Sequence, residues 1–397
     1  MVLHDDNTKY IQQDIFELLS EGGLDRIGEA IQILLNAAMK AEREKYLNAA
    51  AYERSDNRTG YANGFKSKNL KTRVGEIPLA VPQTRDGKFY PSCLEKGQRS
   101  EKALTLAIAE MYLQGVSTRK VKAITEELCG FEVSSSTVSR ATAELDQMFE
   151  EWRKRPLDRY PYVYLDARYE KIREGGVVID QAVLVAVGVS ESGKREVLGV
   201  SVELSEAEVH WRKFLQSLQQ RGLHGVLMFT SDDHEGLKAA RKAVFPAVMW
   251  QRCQYHLQQN AQKYVPREEL KPQVAADIRS IFNAPDGKEA ERLLNKTVAI
   301  YEKSAPRLSQ WMAASLHEGL TVFALPAKHR IRTRTTNGIE RVNREIKRRT
   351  RVVSIFPNSA SCLRLVTAVL MEISEDWQTD YSYLTFDKSG TTSKRNE

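Results

Sequence analysis

The chain has 397 residues, of which 42% are hydrophobic and 28% charged, with a net charge of +7 at pH 7. This length is too great for one small core and predicts roughly two to four domains of an ordinary globular protein. No apolar run approaches the ~20 residues of a membrane-spanning helix. The first residues lack the basic and apolar regions of a signal peptide, so we expect a cytoplasmic protein without a membrane partner.

Four cysteines are scattered along the chain, at positions 93, 129, 253 and 362. None of them forms a Cys-x-x-Cys pair, so their spacing indicates neither a four-cysteine zinc site nor a disulfide framework. We expect reduced thiols in a reducing compartment.

The N-terminal part of the chain is predicted to be helical and then β-rich. Residues 1–53 carry apolar side chains at helical spacing, with an interruption at Gly22-Gly23. Residues 54–98 begin with a turn-rich stretch. The alternation and the prolines of residues 72–82 then favour an edge strand. We interpret residues 54–98 as a small basic β element and a candidate DNA contact.

Residues 99–155 are again helical and contain a helix-turn-helix pattern. One helix is predicted to begin at Ser117 and run to Leu128, and a second begins at the serines from Ser134. Small polar residues at the start of the second helix can reach phosphates or base edges. An ordinary helical hairpin with good Ser and Thr caps is the alternative. The DNA-binding candidates here are Arg119, Lys120, Ser136, Thr137 and Arg140.

Residues 156–256 have the element order of a ribonuclease H-like domain. The predicted order is strand, strand, strand, helix, strand, helix, strand. The corresponding segments are a strand ending at Asp166, strands at 177–189 and 195–204, a helix at 205–221, a strand at 226–230, a short helix after Gly236, and a strand at 248–250. This pattern predicts a mixed sheet.

The rest of the chain is predicted to complete that domain around an insertion. Residues 257–334 are helix-rich without a strand signal, residues 335–380 supply the last helices, and residues 381–397 form a disordered tail. The predicted fold class is therefore α/β: a ribonuclease H-like mixed-sheet domain interrupted by an all-α insertion and preceded by a helical and β DNA-binding region.

Positive charge is concentrated in one segment near the end of the chain. Lys328 to Arg351 contains ten Lys and Arg against two Glu, which leaves the remaining residues close to neutral. Such a segment favours a nucleic-acid partner, because Lys and Arg neutralise phosphates. A solvated charged helix face is the alternative.

Three acidic residues occur in contexts that suit metal-dependent phosphodiester chemistry. Asp166 and Asp232 each close an apolar strand-like run, and Glu340 lies near the start of the basic helix. Carboxylates in such positions can hold two divalent ions about 3.5–4 Å apart. Glu340, Arg344 and Arg348 share one helix face, so the acid would have phosphate-binding neighbours.

Each of these acids also has a structural explanation. Asp166 at a strand end can bind turn amides, and Asp232 can cap the helix that follows it. Glu340 fits a capping box that begins at Asn337, and Glu345 is a rival acid on the same helix.

Six segments, in this order, resemble the Mutator-type bacterial insertion-sequence transposases. They are TRVGEI at 72–77, EMYLQGVSTRKV at 110–121, YLDA at 164–167, SDDHEGL at 231–237, QRCQYH at 251–256 and TTNGIERVNRE at 335–345. The resemblance implies a DDE core of ribonuclease H type. Asp166, Asp232 and Glu340 would be its catalytic and metal-binding acids. It would use two Mg²⁺ ions, for which Mn²⁺ would substitute.

The resemblance also implies a function. The chain would be a bacterial, nucleoid-associated DNA transposase that binds terminal inverted repeats and catalyses metal-dependent strand cleavage and strand transfer. Its partner would be the double-stranded DNA of element ends and target, bound by a homodimer because two ends must meet. Phosphate-binding candidates on the basic helix are Arg341, Arg344, Lys347 and Arg348. The alternatives are a structure-selective nuclease with the same core and a catalytically silent DNA-binding regulator.

Two accessory positions carry open alternatives. The family's Cys-x-x-His element falls on Cys253 and His256, which supply half a zinc site, a hydrogen-bonding or DNA contact beside the catalytic centre, or a core Cys with a polar His. Asp233 stands where the family usually has Gly. It is either an additional ligand or a benign turn substitution, since Asp tolerates left-handed backbone.

His234 and Trp311 are further accessory candidates. His234 is two residues past Asp232 and would contact the scissile phosphate or form a turn hydrogen bond. Trp311 would stack on an unpaired base or belong to the core of the insertion.

Overall fold

The computed structural model describes residues 5–94, 96, 100–143 and 145–386. These residues form two compact units, one up to Leu145 and one from Asp146 onward. In this described part of the chain, no helix combines the length and the apolar character that crossing a bilayer requires.

The first unit consists of helices around a β-hairpin and a separate group of three helices. Its elements are α1 (Asp5–Gly22), α2 (Ile27–Leu47), β1 (Ala62–Thr72), β2 (Gly75–Thr84), α3 (Lys102–Leu113), α4 (Thr118–Cys129) and α5 (Ser135–Ala143). A single 3-10 turn, Gly23–Arg26, separates α1 from α2 where the sequence predicts an interruption.

The hairpin differs from its predicted form. β1 and β2 are antiparallel with Thr72 opposite Gly75, so the turn lies inside the stretch for which the sequence predicts one continuous strand. Gly75 has a φ of 113°, which explains why a glycine is needed at this turn. The hairpin packs on α2 through Met39, Ile77, Leu79 and Val81.

Helices α3, α4 and α5 share one apolar core that includes Ile108, Val121 and Val138. The Ser117 hydroxyl accepts a hydrogen bond from the Lys120 amide at the start of α4, as the sequence predicts. The Ser134 hydroxyl does the same for the Thr137 amide at the start of α5, at 3.2 Å. Two helices joined by a short turn are thus present, and their DNA-binding role stays a prediction.

The second unit is a mixed α/β structure built on a five-stranded sheet. Its strands are β3 (Tyr162–Glu174), β4 (Val177–Val189), β5 (Arg195–Glu203), β6 (Met228–Ser231) and β7 (Met249–Arg252). Its helices are α6 (Asp146–Lys154), α7 (Glu208–Gln220), α8 (Glu235–Val244), α9 (Gln254–Gln262), α10 (Lys271–Phe282), α11 (Gly287–Ser304), α12 (Pro306–Ser315), α13 (Ala327–Thr333), α14 (Asn337–Val353) and α15 (Ser359–Thr379).

The sheet order is β5-β4-β3-β6-β7. The pairs β5-β4 and β4-β3 are antiparallel, and the pairs β3-β6 and β6-β7 are parallel. Helices α7 and α8 bury Trp211, Leu215 and Leu237 in the same apolar core as Leu165 of β3. The α/β class with one mixed sheet agrees with the sequence prediction.

One predicted strand boundary is wrong, and it concerns a site residue. β3 does not end at Asp166 but continues to Glu174, because β4 pairs with it along its whole length, with Asp166 opposite Val185. The parallel neighbour β6 pairs only with Tyr162–Tyr164. Asp166 therefore lies within a long strand, just beyond the part that is paired on both sides.

The region between β7 and α14 contains only helices and 3-10 turns in the described chain, with its own core that includes Leu257, Ile278 and Met312. After α15, residues 381–386 pack against the sheet. The amide of Leu384 donates to Gly193, and Phe386 stacks on Tyr162 at 5.8 Å. The remainder of the predicted tail, residues 387–397, lies outside the described residues.

Candidate active site

Asp166 is held on β3 by two hydrogen bonds, one to each carboxylate oxygen. The Ala167 amide donates to Oδ1 at 2.9 Å, and Asn343 Nδ2 on α14 donates to Oδ2 at 2.6 Å. Burial raises the pKa of Asp166 to about 7, with a further contribution from the negative charge of Asp232. Asp166 is therefore an oriented carboxyl group that lacks sufficient neutralising charge around it.

Asp232 directly follows β6, as the sequence predicts, and its side chain is 46% exposed. Its Oδ1 accepts a 2.9 Å hydrogen bond from the Asp233 amide and lies 3.6 Å from His256 Nδ1. The alternative that Asp232 caps the next helix is wrong. The N-cap of α8 is His234, and no side chain caps that helix.

Glu340 lies in the first turn of α14, which is the basic helix that the sequence predicts. The capping-box alternative is wrong, because the N-cap residue is Thr336 rather than Asn337 and no side-chain cap is made. Glu340 Oε1 is buried without a hydrogen-bond partner and lies 4.0 Å from His256 Nε2. A buried carboxylate oxygen of this kind is costly unless a cation or donor binds it.

His256, on α9, lies between the two carboxylates. Its Nδ1 faces Asp232 and its Nε2 faces Glu340. Interaction with Cys253 raises the pKa of His256 to about 9 against the opposing effect of burial, and the two carboxylates add to the rise. The raised pKa favours the protonated form of His256, whose ring lies between Asp232 and Glu340.

Cys253 is fully buried beside His256 and is bonded to the start of α14. Its sulfur accepts from the Thr336 amide at 3.4 Å and from the Thr336 hydroxyl at 3.3 Å. Burial acts to raise the pKa of the thiol, but interactions with His256 and Thr336 outweigh burial and hold that pKa below its ordinary value. The Cys253–Thr336 contact thus anchors the helix that carries Glu340.

Cys253, His256 and Glu340 form a possible metal-binding group. One ligand atom from each residue lies within 4.8 Å of the others. A thiolate, an imidazole and a carboxylate suit zinc, whereas Asp166, Asp232 and Glu340 offer only oxygen ligands, which suit Mg²⁺. Glu340 is common to both sets.

Sequence reasoning missed two residues of this site. Asn343 is three residues after Glu340 on α14, and it connects that helix to Asp166. Glu206, in the loop between β5 and α7, is a further carboxylate whose negative charge raises the pKa of Asp166. Burial raises the pKa of Glu206 itself. Asn343 lies among Lys and Arg residues that indicate phosphate binding, so the sequence does not single it out. No sequence signal indicates Glu206.

Asp233 does not have the left-handed backbone that the sequence analysis offered as its explanation. Among the described non-glycine residues, positive φ values occur at Asn48, Tyr52 and Ser354 only. Both carboxylate oxygens of Asp233 are instead in ion pairs, with Lys238 at 2.6 Å and Arg252 at 2.9 Å. Because each carboxylate oxygen already has a cationic partner, these contacts argue against the alternative that Asp233 is a metal ligand.

His234 follows Asp233 and its Nδ1 lies 4.0 Å from Glu206 Oε2. Gly236 lets the start of α8 approach the Glu206 backbone, since a Cβ there would lie 2.3 Å from the Glu206 carbonyl oxygen. His234 and Glu206 are thereby brought to the edge of the site.

The predicted DNA-binding residues have the exposure that the role needs. On α14, Arg341, Arg344, Lys347 and Arg348 are exposed, and Arg348 forms a 2.9 Å ion pair with Glu345. In the first unit, Arg119, Lys120, Ser136 and Arg140 are exposed, and Thr137 is half-buried. Arg140 donates to the Thr137 hydroxyl at 3.3 Å.

Trp311 lies on α12 and is packed against the core of the helical region. Its ring stacks on Tyr264 with centroids 5.4 Å apart and an interplanar angle of 20°. One ring face is therefore occupied by the protein's own aromatic side chain.

Comparison with known proteins identifies relatives over nearly the whole chain. The family model for the Mutator family of transposases matches residues 3–380. The chain is 56% identical to the transposase for insertion sequence element IS406 of Burkholderia multivorans, over 94% of this chain and 96% of that protein. It is 43% identical to the transposase for ISRM5 of Rhizobium meliloti, over 91% of each chain. It is 39% identical to the transposase for IS256 in transposon Tn4001 of Staphylococcus aureus, over 89% of this chain and 92% of that protein.

Proposed function

Since the chain belongs to the Mutator family of transposases, we propose that it is a DNA transposase that binds the terminal inverted repeats of its insertion sequence and catalyses metal-dependent strand cleavage and strand transfer. The observation that carries the proposal is the position of His256 between Asp232 and Glu340. Asp166 is linked to the same helix as Glu340 through Asn343.

The catalytic unit is of ribonuclease H type. Three antiparallel strands followed by two parallel strands, in the order β5-β4-β3-β6-β7, support this assignment. The acids lie on the central strand β3, directly after its parallel neighbour β6, and on the later helix α14.

Asp166, Asp232 and Glu340 would hold two Mg²⁺ ions, for which Mn²⁺ would substitute. The unpartnered Glu340 oxygen and the raised pKa of Asp166 support this fit, because both indicate carboxyl groups without enough neutralising charge. Bound divalent ions would activate water or a 3′-hydroxyl and stabilise negative charge on the leaving oxygen. The same acids would serve cleavage and strand transfer, since both are displacements at phosphorus.

The neighbouring residues orient the acids. Asn343 and the Ala167 amide fix the Asp166 carboxylate, and the Asp233 amide fixes Asp232 Oδ1. His256 would use its positive charge to bind a phosphate oxygen near the acids. We propose this phosphate-contact role for the Cys253–His256 pair over a zinc site, because the structure offers it one further ligand, Glu340, which the acidic site also needs.

DNA would be bound by both units. The exposed cations of α14 would bind phosphates near the acids, and α4 and α5 would recognise the element end. Because two ends must be joined to one target, we propose that a homodimer assembles on DNA.

The test is a cleavage and joining assay with purified protein and a labelled duplex that carries the native element end, in Mg²⁺ or in EDTA. The proposal expects metal-dependent nicking at the element end, followed by joining to target DNA. Nicking without joining would instead indicate a structure-selective nuclease. Tight binding of the end without nicking in any divalent metal would indicate a DNA-binding regulator.

A further inference from the structure

Asp233, the residue after Asp232, belongs to a closed ring of four charged side chains. Its Oδ1 is 2.6 Å from Lys238 Nζ, and its Oδ2 is 2.9 Å from Arg252 Nη2. Glu318 faces the same two cations, 2.9 Å from Arg252 Nη1 and 3.2 Å from Lys238 Nζ. Each carboxylate therefore bridges both cations, and the charges of the ring cancel.

The ring joins four separate segments of the second unit. Asp233 is in the loop after β6, Lys238 is on α8 and Arg252 ends β7, while Glu318 is in the 3-10 turn Leu316–Gly319 of the helical region. The Arg252 side chain is only 5% exposed, so its charge depends on these carboxylates for stabilisation. A single ring of ion pairs thus connects the helical region to the edge of the sheet.

Two neighbours in sequence connect the ring to the site. The Asp233 amide donates to Asp232 Oδ1, the oxygen that faces His256. Arg252 is followed by Cys253, whose amide donates to the Ser231 carbonyl at 2.8 Å. Movement of the ring would therefore displace both Asp232 and Cys253.

The helical region is fixed at the same place by uncharged contacts. The carbonyl of Gly319, next to Glu318, accepts hydrogen bonds from the side-chain amides of Gln251 and Gln254, both at 2.8 Å. These bonds hold the 3-10 turn near β7 and α9. The ring of ion pairs extends from this 3-10 turn to the loop that contains Asp232 and Asp233.

We infer that Asp233 is a positioning residue whose carboxylate ties the Asp232 loop to Arg252 and, through Glu318, to the helical region. A glycine at position 233 would still supply the backbone amide to Asp232 but none of the ion pairs. This role rests on the proposed function, because the orientation of Asp232 matters to catalysis only if Asp232 binds metal.

The first test is hydrogen exchange followed by mass spectrometry on the metal-free protein, which requires no activity. Asp233→Asn keeps the side-chain shape and removes the charge, and Glu318→Gln removes the other carboxylate. In each variant we expect peptides that cover residues 228–238 and 314–322 to exchange roughly ten-fold faster. The double variant should add little, because residues of one ring are not independent. Glu235→Gln, at the first residue of α8, is the matched control, because Glu235 lies 3.8 Å from Lys238 and its side chain is 92% exposed.

The second test compares Mg²⁺ dependence of cleavage in the wild type and in Asp233→Asn. A positioning role predicts a several-fold higher Mg²⁺ concentration at half-maximal rate, with a nearly normal rate at saturation. A rate that saturating Mg²⁺ cannot restore would make Asp233 a ligand and overturn the inference, as would unchanged exchange in both single variants. Failure of the wild type to cleave would instead contradict the proposed function. The exchange measurement would then still test whether the ring ties the Asp232 loop to the helical region.

Discussion

Asn343 Nδ2 donates a 2.6 Å hydrogen bond to Asp166 Oδ2 and thereby joins α14 to β3 within one helical turn of Glu340. Residues three apart on a helix lie on the same face, so Asn343 and Glu340 both point toward the region of Asp166. The bond makes the position of one proposed metal ligand dependent on the helix that carries another.

Replacement of Asn343 by alanine tests this dependence. Asn343→Ala removes the donor that orients Asp166, and loss of such an outer contact typically lowers activity about 10–100-fold. Single-turnover cleavage should fall by that factor, while binding of the element end without metal stays normal. Asn337→Ala, an exposed change at the start of the same helix, should leave cleavage unchanged. Equal rates for Asn343→Ala and the wild type would contradict the orienting role.

The Cys253–Thr336 contact should contribute to stability. Thr336 is buried, and Thr336→Val keeps its shape while it removes the hydroxyl that donates to the Cys253 sulfur. We expect a loss of about 1 kcal/mol in the free energy of unfolding, the usual contribution of one buried hydrogen bond. Urea denaturation of the variant measures it, and Thr336→Ser should preserve part of the stability. A variant as stable as the wild type would show that the contact contributes nothing.

We expect the residues of the basic helix to have two different roles. Arg344 is exposed, so Arg344→Ala should leave stability unchanged but weaken DNA binding and reduce the slope of log affinity against log salt by about 1. Fluorescence anisotropy with the element end at several salt concentrations measures this slope. An unchanged slope would remove Arg344 from the phosphate-binding set.

Arg349, on the same basic helix, has a structural role. Its side chain is buried and lies 3.1 Å from Glu372 on α15. Arg349→Ala should destabilise the protein by about 2 kcal/mol, less than the loss of a fully buried pair because Glu372 is half exposed. Chemical denaturation compares it with Arg344→Ala. If the two variants were equally stable, the distinction between them would be wrong.

Local sequence patterns predict much of this fold and the positions of two acids, Asp232 and Glu340. Asp232 follows a short, buried apolar strand. A polar residue in that position can be located from the local sequence alone, without information on tertiary contacts. The hairpin of β4 and β5 was similarly evident from two β-branched runs separated by Ser and Gly. These features depend on residues close together in the chain.

The failures concern contacts between distant residues. The sequence predicts the end of β3 at Asp166 because the apolar run stops there, whereas pairing with β4 extends the strand eight residues further, to Glu174. For Asp233 the sequence indicates either an additional ligand or a turn substitution, but its ion pairs with Lys238 and Arg252 depend on how α8 and β7 pack. Asn343 and Glu206 join the site in the same way, from elements far from Asp166 in sequence.

The most direct test of the account is single-turnover cleavage of the element end by Asp232→Asn in saturating Mg²⁺, beside the wild type and Glu345→Gln. The account predicts that Asp232→Asn binds the end with normal affinity but neither nicks nor joins it. Glu345→Gln, which loses the surface pair with Arg348, should do both at the wild-type rate. Normal cleavage by Asp232→Asn would contradict the assignment of Asp232 to the catalytic acids.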